Sequence, residues 1–269
     1  MVVKQLFQKA VRKLRLLRQG GGEGAAPLRS HVDPSGLLPS QRLRRLGTVY
    51  GGWIIPADHG LTAESLCYCV GAGEDISFEC ALVEQYQCRV RIIDPTPRAV
   101  QHFKDLEQAV RSGKRFPVNN SQVDFYSITG AHIDRLQILP VGLAGTDAEL
   151  KFYLPQNPMH VSCSVMNLQK TDQYFTAPCL RLSSIMRQQG DSSIDMLKID
   201  IEGAEYGVIE DLVMSSSLPR LLLIEFDEAH TPLDAKAPER IRQHIGLLVR
   251  AGMRCVAIEG SNASFVKTS

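Results

Sequence analysis

Three acid-bearing runs stand where chemistry is possible. The first, Cys69-Val70-Gly71-Ala72-Gly73-Glu74-Asp75, is an apolar stretch that ends in two glycines and two carboxylates. Glycines two apart, between a strand and a helix, let the backbone turn sharply and let a ligand approach without meeting a Cβ. The second run, Ile92-Ile93-Asp94, places a carboxylate 21 residues after Gly73. An acid there can accept hydrogen bonds from both hydroxyls of a ribose. It can equally cap a following helix, since Pro95 and Pro97 come next. The third run is Lys198-Ile199-Asp200-Ile201-Glu202-Gly203-Ala204-Glu205. Asp200 and Glu202 are two apart at a strand end, a spacing that turns both to one side. Three acids and a lysine beside an apolar strand are costly to place without partners. They read either as a catalytic rim or, for Glu202 and Glu205, as acids at a helix N-terminus favoured by its dipole.

The loop chemistry discriminates between ligands. A nicotinamide dinucleotide would call for a third glycine where this chain has Ile76, and for a helix start that welcomes a pyrophosphate. Here the helix opens on Glu74-Asp75, which repels one. S-adenosylmethionine (SAM) has no phosphate and carries a sulfonium cation, so acids around the loop are compatible with it. The expected cofactor contacts are Gly71, Ala72, Gly73, Glu74, Asp94 and Asp200. On the acceptor side, the expected catalytic groups are Asp200, Glu202 and His160. His160 lies in a long polar stretch, Pro155–Pro178, which reads as a lid over the rim with Ser162 and Ser164 beside it. A lone histidine can also be merely structural, and His230, after the strand ending at Glu225, is read the same way. No paired Cys-x-x-Cys or Cys/His cluster suggests zinc. A rival reading makes Asp200 and Glu202 hard oxygen ligands of a metal in a metal-assisted enzyme.

Such residues need a frame. Apolar runs at 65–70, 89–93, 135–141, 149–153, 195–199 and 221–226 read as strands. Helical patterns at 76–87, 96–111, 180–189, 204–214 and 239–251 fall between them, and 254–259 with 263–266 forms a closing hairpin. The stretch 116–128 is ambiguous. Alternating strands and helices imply an α/β fold with a mostly parallel, twisted sheet covered on both faces.

The chain has 269 residues, 44% hydrophobic and 22% charged, which suits one α/β domain with extra segments. We place an N-terminal arm and linker over 1–45 and the main domain over 46–269. The arm holds ten Lys/Arg against Glu23 and Asp33, whereas the remainder holds 20 basic and 27 acidic side chains. The body is therefore mildly acidic, and nucleic acid is not an expected partner. Residues 1–18 read as a basic amphipathic helix, suited to peripheral membrane contact, to an organellar presequence in a eukaryote, or to packing on the domain or on another subunit. The stretch 19–39 reads as a Gly/Pro-rich linker. Seven scattered cysteines suggest reduced, buried thiols in a cytoplasmic setting.

The runs CVGAGEDISFE, RIIDPTPRAV, LPVGLAGTDAELKFYLPQNPMHVSCSV, MLKIDIEGAEYGVIEDL and LLLIEF together resemble the FkbM-type methyltransferase family. More narrowly, they resemble its branch with G-x-G-E-D and D-P-T-P motifs. The likeness spans roughly 45–267. It implies a Rossmann-like class I methyltransferase fold, SAM as methyl donor, and O-methylation of a hydroxyl on a sugar, glycan or natural product. By this resemblance Gly71, Gly73 and Glu74 match the cofactor loop, Asp94 the ribose acid, and Asp200, Glu202 and Glu205 the D-I-E-G-A-E segment. One departure is Cys69, where many class I enzymes carry an acid that helps hold the methionine end. That contact would then fall to Glu74, Asp75 or Asp200. The departure, with the basic arm, also leaves room for a non-catalytic SAM-fold binding protein.

Overall fold

A computed structural model describes residues 28–118, 124–154, 171–201 and 203–268. Strands β1 (Leu43–Leu46) and β2 (Trp53–Pro56) form an antiparallel hairpin. Then come β3 (Leu66–Val70), α1 (Ser77–Tyr86), β4 (Arg89–Ile93), α2 (Pro97–Arg111), α3 (Gly130–Ile133) and β5 (Leu136–Leu139). A small sheet follows, made of β6 (Gly142–Leu143), β7 (Ala148–Tyr153) and β8 (Tyr174–Leu180). The chain ends with α4 (Leu182–Gln189), β9 (Met196–Ile199), α5 (Glu205–Met214), β10 (Leu221–Glu225), α6 (Ala237–Arg250), β11 (Met253–Glu259) and β12 (Asn262–Lys267).

The main sheet has seven strands in the order β11-β12-β10-β9-β3-β4-β5. Strands β5, β4, β3, β9 and β10 pair in parallel, while β12 runs antiparallel to both its neighbours. Building outward from β3, the chain first adds β4 and β5 on one side and later β9 and β10 on the other. The order therefore reverses between β3 and β9, which is where open α/β sheets bind ligands beyond their carboxyl ends.

The strand sequences follow from this placement. Strands covered on both faces read as continuous apolar runs. In β10, Leu222 and Ile224 join one core, while Leu221 and Leu223 join the other. β3 behaves likewise, with Cys67 and Cys69 fully buried on the side covered by α1 and the β1–β2 hairpin. The six described cysteines are buried free thiols.

Helix α2 shows the same logic locally. Ala99, His102, Phe103 and Leu106 are its buried residues, a spacing that lays one stripe on the sheet. Pro97 sits in its first turn, and the Thr96 hydroxyl caps it by accepting from Ala99 N at 3.4 Å. A cap of this kind contributes about 1 kcal/mol. The same hydroxyl donates to Asp94, so the helix start and the site share a residue.

Several sequence expectations change. From Leu28 onward the stretch assigned to a linker is folded onto the domain. Leu28 is buried in the core beside α6, and Leu38 N donates to Val256 O at 2.8 Å. The β1–β2 hairpin was not expected: no strand was assigned before residue 65, and Arg44 and Arg45 interrupt the apolar pattern of Leu43–Leu46. Its buried Leu46, Trp53 and Ile55 nevertheless close the second core. The end of the lid segment, from Tyr174, belongs to β8, where Ala177 and Cys179 alternate inward. Pro178, read as punctuation, is tolerated between them on an exposed position. In the ambiguous stretch 116–128, the described residues form the bridge Pro117↔Phe125. The basic segment 1–18 lies outside the described residues. Among the described residues no helix is long and apolar enough to cross a membrane.

Candidate cofactor and acceptor site

Register sets a row of residues along the carboxyl edge of the sheet. Val70 pairs with Ile199, and Ile199 pairs with Ile224. The next residues outward are Gly71, Asp200 and Glu225, and Asn262 of β12 sits opposite Glu225. Gly71 and Asp200 thus meet at the point where strand order reverses. The contact is tight: a Cβ on Gly71 would lie 1.7 Å from the Asp200 carbonyl oxygen. Gly71 also has φ +77°, in the left-handed region, as does Gly73 at +54°. The need for glycine at 71 therefore comes first from protein packing rather than from a ligand.

Asp94 is 4% exposed, and both its oxygens are engaged by the chain. Oδ2 accepts from Ala72 N at 2.9 Å and Gly73 N at 3.1 Å. Oδ1 accepts from Thr96 N at 2.8 Å and from the Thr96 hydroxyl at 2.6 Å. A carboxylate has about four acceptor positions, and here all are filled. In this arrangement Asp94 clamps the glycine loop, and a ribose would have to displace the Thr96 bonds. Asp94→Ala frees two loop amides and should weaken SAM binding about 10–150-fold, the equivalent of roughly 1.5–3 kcal/mol for hydrogen bonds to a charged group. Titration calorimetry on the folded variant checks it. Unchanged affinity would mean that the clamp does not shape the cofactor loop.

The start of α1 is closed to an anion. Ser77 N donates to Asp75 Oδ1 at 3.0 Å, and Ile76 N donates to the Tyr126 hydroxyl at 3.1 Å. Asp75 is buried, and its other oxygen accepts from the Thr48 hydroxyl at 2.7 Å, which ties the β1–β2 turn to the loop. The Tyr126 hydroxyl lies 2.9 Å from His102 Nε2. Burial holds the His102 pKa below its ordinary value, which favours the neutral ring accepting from the phenol. Glu74 faces α2, where Arg98 grips both its oxygens at 3.0 and 2.8 Å. The Ile76 and Ser77 amides, which would have to receive a pyrophosphate, are therefore already committed, and the neighbouring acids would repel it.

Beneath the loop lies a buried ion pair. Lys198 is 3% exposed and donates to the Gly71 carbonyl at 2.8 Å. Its ammonium stands 3.6 Å from Glu79 and 4.0 Å from Asp200. Glu79 is 1% exposed, and neither of its carboxyl oxygens accepts a hydrogen bond from a described residue. Burial opposes charge on Lys198, but Glu79 and then Asp200 hold its pKa above the ordinary value. Burial pushes the Glu79 carboxyl up, with Lys198 working against it. Burial, then Glu79, pushes the Cys69 thiol up too, so Cys69 is a neutral neighbour. The acid missing at position 69 has a counterpart in space: Glu79, reaching the same strand from α1.

The sequence pattern of the Methyltransferase FkbM domain matches residues 70–255, from the glycine loop to β11. The chain belongs to the FkbM methyltransferase family. Its Rossmann-like sheet is that of the class I methyltransferases, and the family's activity is SAM-dependent methylation. Three solved structures resemble this FkbM-family chain distantly. A mutant of MtNAS is 8% identical with a TM-score of 0.37, covering 79% of this chain and 57% of its own. The Methanococcus jannaschii fibrillarin pre-rRNA processing protein is 12% identical with a TM-score of 0.38, covering 77% and 66%. The methyltransferase domain of bacterial CtHen1 is 10% identical with a TM-score of 0.38, covering 77% and 91%. The chain thus spans less than two thirds of the first two. No curated protein matches the sequence.

In this FkbM-family domain, Gly71, Ala72, Gly73, Asp94 and Asp200 come together on one rim, with Glu74 beside them and turned to Arg98. The Asp200 side chain is 30% exposed, facing out from the strand end. Glu205 is buried and accepts from Gly203 N at 2.9 Å, so it shapes the turn into α5. Glu202 and His160 lie outside the described residues, as do Ser162 and Ser164. Sequence reasoning missed Thr96, Tyr126, Glu79 and the grouping of Glu225, Asp227 and His230, whose ligand-type atoms lie within 4.8 Å of one another. A lysine inside an apolar strand was the one available sign of the buried pair, since Lys198 needs a partner that only Glu79 supplies at that depth. The cavity lined by Glu64, Leu66, Arg89 and Asp191 lies at the opposite, amino edge of the sheet.

Proposed function

We propose that the protein transfers a methyl group from SAM to a hydroxyl oxygen of a sugar, glycan or natural-product acceptor. The observation that carries this reading is the closed start of α1. The Ile76 and Ser77 amides are occupied and two acids stand there, which suits a cationic adenosyl cofactor and disfavours a pyrophosphate. When bound, SAM supplies a methyl group on a sulfonium sulfur; the acceptor oxygen forms the new C–O bond as the C–S bond breaks, its electron pair staying on sulfur.

The chain's part is alignment and proton handling. The loop Gly71–Gly73, held by Asp94 and by Lys198, presents backbone to the cofactor. Asp200, half-exposed at the reversal point, is the candidate for the methionine amino group or the acceptor hydroxyl. Glu225, Asp227 and His230, grouped one strand further along the rim, are candidates to receive the acceptor's proton. Glu202 and His160 belong to the same reading on sequence grounds. Peripheral contact of residues 1–18 with an anionic membrane surface belongs to it as well, on charge and periodicity alone.

Incubation with SAM bearing an isotopically labelled methyl group, across a panel of sugars, glycans and polyhydroxylated natural products, tests the proposal. Mass spectrometry should find the label on an acceptor oxygen. A protein that binds SAM yet labels no hydroxyl in such a panel would instead be a SAM-fold binding module.

A further inference from the structure

We propose that the outer face of α6, with the short 3₁₀ turn Leu28–His31 packed beside it, docks on the anionic headgroups of a membrane. Helical spacing sets this face. Arg242, Gly246, Val249 and Arg250 recur at i, i+4, i+7 and i+8, which lays them in one stripe, while Ile241, Ile245 and Leu248 turn to the core. Val249 is 54% exposed, an apolar side chain bare among cations.

The positive charge at this edge is unpaired. Among the described residues Arg29, Arg242, Arg250 and Arg254 form no salt bridge, whereas eight other arginines, Arg42 and Arg240 among them, do. The four are neighbours in the fold. Arg29 belongs to the turn on α6, and burial, then the Arg242 charge, holds the pKa of His31 in that turn below its ordinary value. Arg254 of β11 lays its stem on Gly36, whose Cβ would lie 3.1 Å from Arg254 Cγ. The nearby acids are Glu239, in the first turn of α6, and Asp33, which accepts from Ser35 N at 2.9 Å. Four cations against two acids leave the face positive.

Gly246 supplies a separate observation. A glycine inside a helix costs stability relative to alanine. Packing does not call for it here, since a Cβ at 246 would meet only the Arg250 guanidinium, at 3.1 Å, the far end of a flexible side chain. The missing side chain leaves a notch into which Arg250 folds back along the helix toward Arg242. An anionic headgroup fits between the two guanidiniums.

The arm adds to the same face. Leu28 is buried beside α6, so residues 1–27, with six Lys/Arg against Glu23 alone, enter the domain at this edge. Neither α6 nor the turn Leu28–His31 holds a Phe, Tyr or Trp on which a base could stack, and beyond residue 45 the chain is net acidic. A lipid surface therefore fits better than a nucleic acid. This inference deepens the membrane contact proposed for residues 1–18 and stands apart from methyl transfer.

The test is co-sedimentation of the full chain with phosphatidylcholine vesicles, with and without added phosphatidylserine, at low and moderate salt. The protein should pellet only with the anionic vesicles, and less as salt rises. Each cation near such a surface contributes about five-fold, so Arg242→Gln combined with Arg250→Gln should bind about 25-fold more weakly. Gly246→Glu sets a carboxylate against Arg250 and raises helix propensity. It should weaken binding too, and it decides the matter if the double variant misfolds by circular dichroism. Arg89→Gln removes another cation without a salt bridge, in the amino-edge cavity across the sheet, and should bind as the wild type does. SAM affinity should be unchanged in all three. Wild type that stays in solution with both vesicles overturns the proposal. So do α6 variants that sediment like the wild type, which would leave the arm alone as the anchor, and an equal loss in Arg89→Gln. Single-stranded RNA that binds more tightly than the vesicles and displaces them would overturn it in favour of a nucleic-acid partner.

Discussion

Gly71→Ala should lose most of its SAM affinity and a substantial part of its stability. Two effects add at this position. A non-glycine residue at φ +77° costs about 1–2 kcal/mol. The added Cβ, 1.7 Å from the Asp200 carbonyl oxygen, must also push β3 and β9 apart at the reversal point, an overpacking that costs about 1–3 kcal/mol. Gly113 separates the two effects. It has φ +68° with nothing within 4 Å of its would-be Cβ, so Gly113→Ala should show only the conformational cost and normal SAM binding. Urea denaturation with calorimetric titration measures both variants. If Gly71→Ala behaves like Gly113→Ala, the close Gly71–Asp200 approach is not what shapes the loop.

Lys198→Met should be the most destabilising change at the site. It leaves Glu79 buried with no counter-charge and removes the donor from the Gly71 carbonyl. Breaking a buried pair by deleting one partner costs about 3–5 kcal/mol, whereas replacing both partners with apolar side chains is often neutral. The double variant Lys198→Met with Glu79→Leu should therefore regain most of the stability. Its SAM affinity should stay low, because the loop carbonyl has still lost its ammonium. The single variant should also acquire a pH dependence. Burial already pushes the Glu79 carboxyl up, and without Lys198 nothing comparable opposes that shift. A carboxyl whose folded pKa lies above its unfolded value favours the native state while protonated. The deficit in Lys198→Met should thus be small in acid and grow as pH rises through the raised Glu79 pKa. A deficit that is the same at every pH would place its origin in packing rather than in the stranded carboxylate.

How much was readable in advance depended on the range of the interaction. Strand ends followed by glycine or acid are local signals, and they located Gly71, Gly73, Asp94 and Asp200 on the rim. The core strands were readable because a strand covered on both faces must be apolar throughout, as Leu221–Ile224 are. Partnerships between distant residues were not readable. Lys198 and Glu79 lie on different elements: a lysine inside an apolar strand signals that some partner is needed, but nothing near it says which. Asp94 was placed correctly at its strand end, but its protein partners were not foreseen. The competing donors, two loop amides and Thr96, emerge only once the loop folds back onto β4. His230 was noticed alone, because the group mixes a spacing of two off the end of β10 with a spacing of three across a short helical turn, and no single periodicity joins all three. The β1–β2 hairpin hid behind its arginines, whose charged ends stay outside while Trp53 and Ile55 go in.

The central claim is that the Gly71–Gly73 loop, clamped by Asp94 and seated on Lys198, holds SAM. Calorimetric titration of the purified full chain with SAM, with S-adenosylhomocysteine and with NAD tests it most directly. The account predicts one site that takes both adenosyl compounds, loses them in Gly71→Ala, and ignores NAD. Binding of NAD at that site, or SAM affinity undiminished by Gly71→Ala, would contradict it.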